Sequence, residues 1–212
     1  MTVVITGSNR GIGAALSEIY AARGETVIGT SRAGAWPLEV TDPASHAAFA
    51  RRLEGRAVDL LVCNAGVYLD KGEALSDGYA APLWADTFAV NVTGIFLTVQ
   101  ALLENLKASG AGRIAILSST MASTERAPGG SYIYRASKAA ALNLGRNLAT
   151  DLRQDGIAVG IYHPGWVITD MGGAHADISV SEAANGLVER FDALDMRTTG
   201  VFENWDGRPH AY

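Results

Sequence analysis

The chain has 212 residues, 48% of them hydrophobic, with a mean hydropathy of +0.12 and a formal net charge of −5. That length suits one large α/β domain with a substantial core, and the composition excludes a disordered chain. The mild acidity without a basic run argues against nucleic-acid or anionic-membrane binding. The single cysteine, Cys63, excludes an intrachain disulfide, and the scattered His46, His163, His175 and His210 make no metal-binding cluster. No apolar run reaches the ~18 residues of a membrane-spanning helix. The first residues already belong to a strand and turn rather than to a basic-then-apolar leader, so a cytoplasmic location is expected.

The β-branched run Thr2–Thr6 reads as a buried strand. It passes into Gly7-Ser8-Asn9-Arg10-Gly11-Ile12-Gly13 and then into the amphipathic stretch Ala14–Arg23. Strand, tight turn and helix in that order make an anion site. Glycines let the backbone approach a pyrophosphate, and the unpaired N–H groups of the helix start point at it. The spacing is G-x-x-x-G-x-G rather than the commoner G-x-G-x-x-G. Strands are expected next at Thr26–Thr30 and Leu38–Val40, with only Ser31–Pro37 between them. A parallel crossover usually takes about a dozen residues and a helix. Either that helix is missing or Leu38–Val40 is a strand remnant at the sheet edge. The first is expected, an abbreviated connection that leaves the adenosine end of a nucleotide less covered. Asp42-Pro43 is a cap residue followed by proline and opens a helix over Ala44–Leu53. Leu60–Asn64 is a strand, and Tyr68–Ala81, rich in Gly, Asp and Lys, reads as a mobile loop. Further helices are expected at Leu83–Lys107, Tyr132–Gln154 (ended by Asp155-Gly156) and Ser181–Phe191. Further strands are expected at Arg113–Ser118, Ala158–Tyr162 and Gly200–Glu203. This alternation, with continuous apolar strands, predicts a single Rossmann-type domain over residues 1–212, a doubly wound parallel sheet covered on both faces.

Polar clusters fall where the strands end, which is where open α/β sheets bind ligands. They are Asn64-Ala65-Gly66, Ser118-Ser119 and His163-Pro164-Gly165-Trp166-Val167-Ile168-Thr169-Asp170, with Asn91-Val92-Thr93-Gly94 inside the long helix. In Tyr134-Arg135-Ala136-Ser137-Lys138 a spacing of four puts Tyr134 and Lys138 on one helix face. A free phenol, with a pKa of about 10, is a poor base near neutrality, and a nearby ammonium favours its ionised form. Such a pair is also common on helices for structural reasons. Cys63 reads as a small buried hydrophobe and His163 as positional. His46 reads as a residue of a surface helix, and His175 and His210 as loop residues.

Taken together, these motifs resemble the short-chain dehydrogenase/reductase family over essentially the whole chain. Thr6-Gly7-x-x-x-Gly11-Ile12-Gly13 resembles its cofactor turn. Asn64-Ala65-Gly66 resembles its Asn-Ala-Gly motif, with Cys63 where another Asn is usual. Asn91, Ser119, Tyr134 and Lys138 are similar to its catalytic tetrad. Pro164-Gly165, Val167 and Thr169 resemble its segment beside the nicotinamide. The stretches Tyr134–Asn143, His163–Val167, Thr169–Gly173 and Asn204–Gly207 resemble the C-factor and sniffer-type carbonyl reductases. The family often places its serine thirteen residues before the tyrosine, where this chain has Met121. Strand-end alignment favours Ser119, with Ser118 as competitor and Ser123 too far into the loop.

The resemblance implies interconversion of a carbonyl and a secondary alcohol by hydride transfer. Tyr134 would be the general acid/base, Ser119 the second hydrogen-bond donor, and Lys138 would hold the ribose and tune Tyr134. Asn91 would hold a water in the proton relay. Cofactor-contacting positions are Gly7, Asn9, Arg10, Gly11, Ile12, Gly13, Ser31, Arg32, Glu39, Val40, Asn64, Ala65, Gly66, Tyr134, Lys138, Pro164, Gly165, Val167 and Thr169. The second strand ends in Thr30-Ser31-Arg32 without a carboxylate, so NADP(H) is expected over NAD(H), with Arg10 and Arg32 on the 2′-phosphate. The alternative is that both arginines are solvated surface groups. Glu39-Val40 lies where the family often has Asp-Val beside the adenine. Trp166, Met171 and Gly172–Ile178 are substrate wall or lid packing. The family usually pairs its two long helices, so a homodimer or homotetramer is expected, acting on a small-molecule carbonyl or alcohol. A nucleotide-binding signalling or sensor protein is the alternative function. Epimerisation or dehydration would show a changed tetrad.

Overall fold

The computed structural model describes residues 1–212. Six parallel strands form one sheet: β1 (Thr2–Thr6), β2 (Thr26–Thr30), β3 (Leu60–Cys63), β4 (Arg113–Leu117), β5 (Ala158–His163) and β6 (Phe202–Asn204), in the order β2-β1-β3-β4-β5-β6. The α-helices are α1 (Gly11–Ala22), α2 (Pro43–Arg52), α3 (Ala81–Phe88), α4 (Gly94–Ala101), α5 (Leu103–Ala108), α6 (Tyr132–Asp151) and α7 (Val180–Ala193). The strand order turns back between β1 and β3, and the carboxyl ends of those strands frame the crevice in which such sheets bind nucleotides.

Side-chain alternation along the strands divides the core in two. Val4, Leu61, Cys63, Ile114, Ile116 and Val159 face a helical layer that includes Phe49 of α2, Val99 of α4, Leu106 of α5 and Leu148 of α6. Val3, Ile5, Leu60, Val62, Ala115 and Leu117 face Leu16 and Tyr20 of α1 and Leu187, Val188 and Phe191 of α7. Both faces are covered, which is why the strands read as unbroken apolar runs. Local signals set the helix ends. The Asp42 carboxylate accepts from the N–H groups of Ala44 (2.9 Å) and Ser45 (3.2 Å) at the start of α2, a cap worth about 1 kcal/mol. Ser179 Oγ accepts from Glu182 N–H at the start of α7, and Gly156 takes the left-handed conformation (φ 70°) after the 3₁₀ turn that closes α6.

Three expectations need correction. Leu38–Val40 does not form a strand: the edge is reduced to a single parallel bridge between Ser31 and Pro37, and Leu38 N–H donates to Ser31 O. The missing crossover helix is as expected, and without it the chain cannot run alongside β2 for more than one residue. Leu38 and Val40 are instead buried against the α2–α4 layer. The long helix expected at Leu83–Lys107 begins at Ala81, carries a π-helical turn over Ala89–Thr93 and breaks at Leu102. The continuous helical run Ala81–Ala101 meets the length and hydropathy of a membrane span, contrary to the reading of the apolar runs. It is nevertheless built into the fold, because the fully buried Asn91 ties it to the end of β3 and to α6.

Candidate active site

The glycine turn is held from behind by β3. Thr6 Oγ1 accepts from the N–H groups of Asn64 and Ala65, both at 3.0 Å. The Asn64 amide donates to Thr6 O (2.8 Å) and Gly7 O (3.0 Å). Gly7 is left-handed (φ 67°), and a Cβ on Gly13 would lie 2.4 Å from Gly7 O and 2.5 Å from Asn64 Nδ2. Only glycine lets α1 start this close to the turn. Arg10 precedes α1 in extended conformation, with no side-chain cap and no acidic residue in the first turn. The donors at the helix start therefore face no competing carboxylate, and the cradle fits a pyrophosphate. Gly11, also left-handed (φ 55°), faces Thr169 Cγ2 across the crevice, while Asn9 is exposed and Ile12 half-buried beside it.

At the adenosine end the two arginines differ. Arg32 is exposed beside the half-buried Ser31 and makes no ion pair. Arg10 is paired with Asp170, both side chains largely in solvent. Glu39 turns its carboxylate to the N–H (3.2 Å) and hydroxyl (2.9 Å) of Thr41, so it is engaged in its own turn. Val40 packs on Gly94.

At the carbonyl end the four tetrad positions converge. Tyr134 is 7% exposed in the first turn of α6. Burial pushes its phenol well above the usual range, Tyr68 and Asp70 add to this, and Ser119 beside it pulls the other way. The expected downward pull of Lys138 does not set this balance. Lys138 Nζ donates to Leu117 O (2.9 Å) and lies 5.6 Å from the Tyr134 ring centre, and burial pushes the amine down to about 8. Ser119 Oγ accepts from Met121 N–H at 3.1 Å, and its hydroxyl faces the Tyr134 phenol. Ser118 donates its proton to Lys138 O at 2.9 Å and points into the helix. Asn91 sits in the π-helical turn, a feature common at functional sites. Its Oδ1 accepts from Val67 N–H (2.9 Å), and its amide donates to Val67 O (2.9 Å) and Ser137 Oγ (3.0 Å). A Cβ on Gly66 would come 3.4 Å from Asn91 Oδ1 and 3.5 Å from Lys138 Nζ, so Gly66 keeps the space between them open.

After β5, Pro164 leads into Gly165, which is left-handed (φ 90°) and closed in by Ile178 and Trp205. Val167 bridges to Ile178. Thr169 Oγ1 accepts from Gly172 N–H, and Trp166 Nε1 donates to Gly172 O at 2.9 Å. Trp166, Ile168 and Met171 leave large apolar surfaces exposed at the crevice rim. Burial pushes the Cys63 thiol up to about 12. The same cause, with His210 and Arg126 nearby, takes His163 down to about 4. His46 is buried, contrary to its reading as a surface-helix residue: its Nε2 donates to Val40 O (3.0 Å). His210, in a loop as expected, is buried and packs on Phe202.

Three features escaped the sequence reading. The supposed mobile loop starts with Tyr68 stacked on Tyr134 and with Asp70 wholly buried. The π turn has no compositional mark. The last residues fold back, so that Tyr212 O accepts from the hydroxyls of Ser123 and Thr124.

The short chain dehydrogenase family model matches residues 1–178. C-signal of Myxococcus xanthus is 37% identical over 161 residues, covering 76% of this chain and 96% of that protein. An NADPH-bound carbonyl reductase from chicken fatty liver superposes with a TM-score of 0.90 at 31% identity, covering 100% of this chain and 98% of the other. The Drosophila melanogaster carbonyl reductase Sniffer gives 0.93 at 25% identity, covering 100% and 99%. The chain belongs to the short-chain dehydrogenase family and is structurally close to its carbonyl-reductase members.

Proposed function

We propose that the protein is an NADP(H)-dependent oxidoreductase that interconverts a carbonyl and a secondary alcohol. The observation that carries this is the convergence of Ser119 and Lys138 on the buried Tyr134, with the Ser119 hydroxyl beside the phenol. When bound, NADPH supplies a hydride to the carbonyl carbon. Ser119 gives a hydrogen bond to the carbonyl oxygen, and Tyr134 donates its phenolic proton to that oxygen as negative charge builds there. Burial keeps the proton on Tyr134, the form reduction needs. Lys138 holds the ribose and returns a proton to Tyr134. Both amide protons of Asn91 are committed to Val67 and Ser137, so a relay water at Asn91 would be held by an acceptor oxygen. In the oxidative direction Tyr134 is the base.

The N–H groups at the start of α1 would hold the pyrophosphate, and Arg32, free of ion pairs, would hold the 2′-phosphate with Arg10 beside it. The chicken and Burkholderia multivorans neighbours, described as bound to NADPH and NADP, support this choice. A pure nucleotide sensor would have no use for the assembled tetrad. Within the family we place the chain among the C-factor and sniffer-type reductases, as a cytoplasmic homodimer at least. Exposed Trp84 of α3 and Phe96 of α4 support pairing through the long helices. The test is nucleotide consumption with ketones, aldehydes and quinones, using NADPH and NADH in parallel. Turnover with NADPH preferred is expected, and no turnover with either nucleotide overturns the reading.

A further inference from the structure

Helix α6 carries both Tyr134 and Lys138, yet it starts without a cap of its own. The preceding residue, Ser131, is in the left-handed region (φ 48°, ψ 42°) and its side chain caps nothing. The first turn has no acidic residue. Asp70, from the segment after β3 and 63 positions earlier, fills that place. Its Oδ2 accepts from Ile133 N–H at 2.8 Å, and Oδ1 and Oδ2 accept from Tyr134 N–H at 3.2 and 3.3 Å. The residue is 0% exposed, and no lysine or arginine pairs with it. Its neighbour Lys71 instead donates to Met171 O at 3.3 Å.

A carboxylate wholly removed from water is costly unless hydrogen bonds and a favourable field compensate it. Here both come from the amino-terminal end of α6, whose free N–H groups and dipole favour negative charge. The cost of burial is met at two successive residues, Ile133 and the candidate acid Tyr134. The other groups facing the phenol are Ser119 from the end of β4, Lys138 one turn along α6 and Tyr68, whose ring lies on it. His163 on β5 is close enough to Lys138 to feel its charge. Among these, Asp70 is the only anion.

We propose that Asp70 is a positioning residue for the reaction: its buried carboxylate seats the main chain of Ile133 and Tyr134 at the start of α6 and, as a negative charge beside that turn, adds to the burial that keeps the phenol in its acid form. Asp70 thereby acts in the same direction as burial and against Ser119. The assignment rests on the carbonyl reading above.

The test replaces Asp70 with asparagine, which keeps the shape and one acceptor oxygen but removes the charge. Phenolate absorbance is titrated in the wild type and in Asp70→Asn, each against the same protein carrying Tyr134→Phe, so that the difference isolates one phenol. The Tyr134 phenol is expected to ionise about one pH unit lower in Asp70→Asn. With the fastest ketone of the panel, kcat is expected to fall about tenfold with KM within twofold, as when a reacting group is slightly misplaced. If Asp70→Asn does not fold, Asp70→Ser, smaller and also neutral, is titrated in its place. A variant that melts earlier but titrates as the wild type does overturns the assignment and leaves Asp70 a structural cap. The titration needs no substrate, so a protein inactive across the panel would overturn the carbonyl reading independently.

Discussion

The ring of Tyr68 lies on that of Tyr134, centroids 4.3 Å apart and planes 24° from parallel. One face of the candidate acid is therefore roofed by a residue that follows the Asn64-Ala65-Gly66 turn. The Tyr68 hydroxyl meets Ser131 Oγ at the start of α6. A stack of this kind contributes about 1 kcal/mol beyond its buried area. Tyr68→Ala is expected to lower Tm and to cut kcat for ketone reduction by roughly tenfold as water reaches the phenol. Tyr68→Phe keeps the ring and should stay close to wild type. Equal losses in both variants would show that the hydroxyl contact to Ser131, rather than the roof, is what matters.

Tyr134→Phe keeps the buried ring and its stack but removes the only proton it can give. Turnover is expected to fall by at least about a hundredfold, the usual scale for a lost general acid, while NADPH affinity measured by fluorescence titration is nearly unchanged. Loss of both together would assign Tyr134 a structural role.

Lys138 sets a pH dependence whose sign can be worked out. Burial takes its amine down to about 8, so below that pH it is an ammonium and above it a neutral amine. As an ammonium it can hold the ribose and return a proton to Tyr134. Hence kcat/KM for NADPH, which reports the free enzyme, should fall as pH rises through about 8, and alcohol oxidation should rise over the same interval. Lys138→Met should lose both the activity and the inflection. A wild-type profile flat from pH 7 to 9 would remove Lys138 from this role.

How far the site was legible depended on the distance over which each signal acts. The turn Gly7–Gly13 could be read because strand, glycine spacing and helix lie within a few residues. Tyr134 and Lys138 could be read because a helix brings positions four apart together. Asp42-Pro43 marked a helix start for the same local reason. Leu38–Val40 has strand composition, but a strand needs a partner edge, and Ser31–Pro37 is too short to bring the chain back along β2. Asp70 sits in a Gly-, Asp- and Lys-rich stretch that reads as solvated loop. Its partners are 63 and 64 positions away, and nothing local marks a carboxylate as buried. The π turn around Asn91 hides inside an ordinary helical pattern, because one extra residue in a turn leaves no compositional trace.

The arginines yield a prediction that separates them. Arg32 has no anionic partner, so a 2′-phosphate beside it forms a new charge-assisted contact. Arg10 already faces Asp170, and a phosphate there must replace one anion with another. An exposed ion pair contributes little, typically below about 1 kcal/mol, so the exchange is feasible, but its net gain is smaller. Arg32→Ala is therefore expected to weaken NADPH binding about tenfold, in line with loss of a charged hydrogen bond, and to leave NADH nearly unaffected. Arg10→Ala should weaken NADPH less. Asp170→Asn, which releases Arg10, should strengthen NADPH binding and not NADH. Calorimetric titration of the three variants with both nucleotides decides this. Equal losses for NADPH and NADH in Arg32→Ala would mean that the guanidinium does not read the 2′-phosphate, and the cofactor assignment would lose its support within this chain.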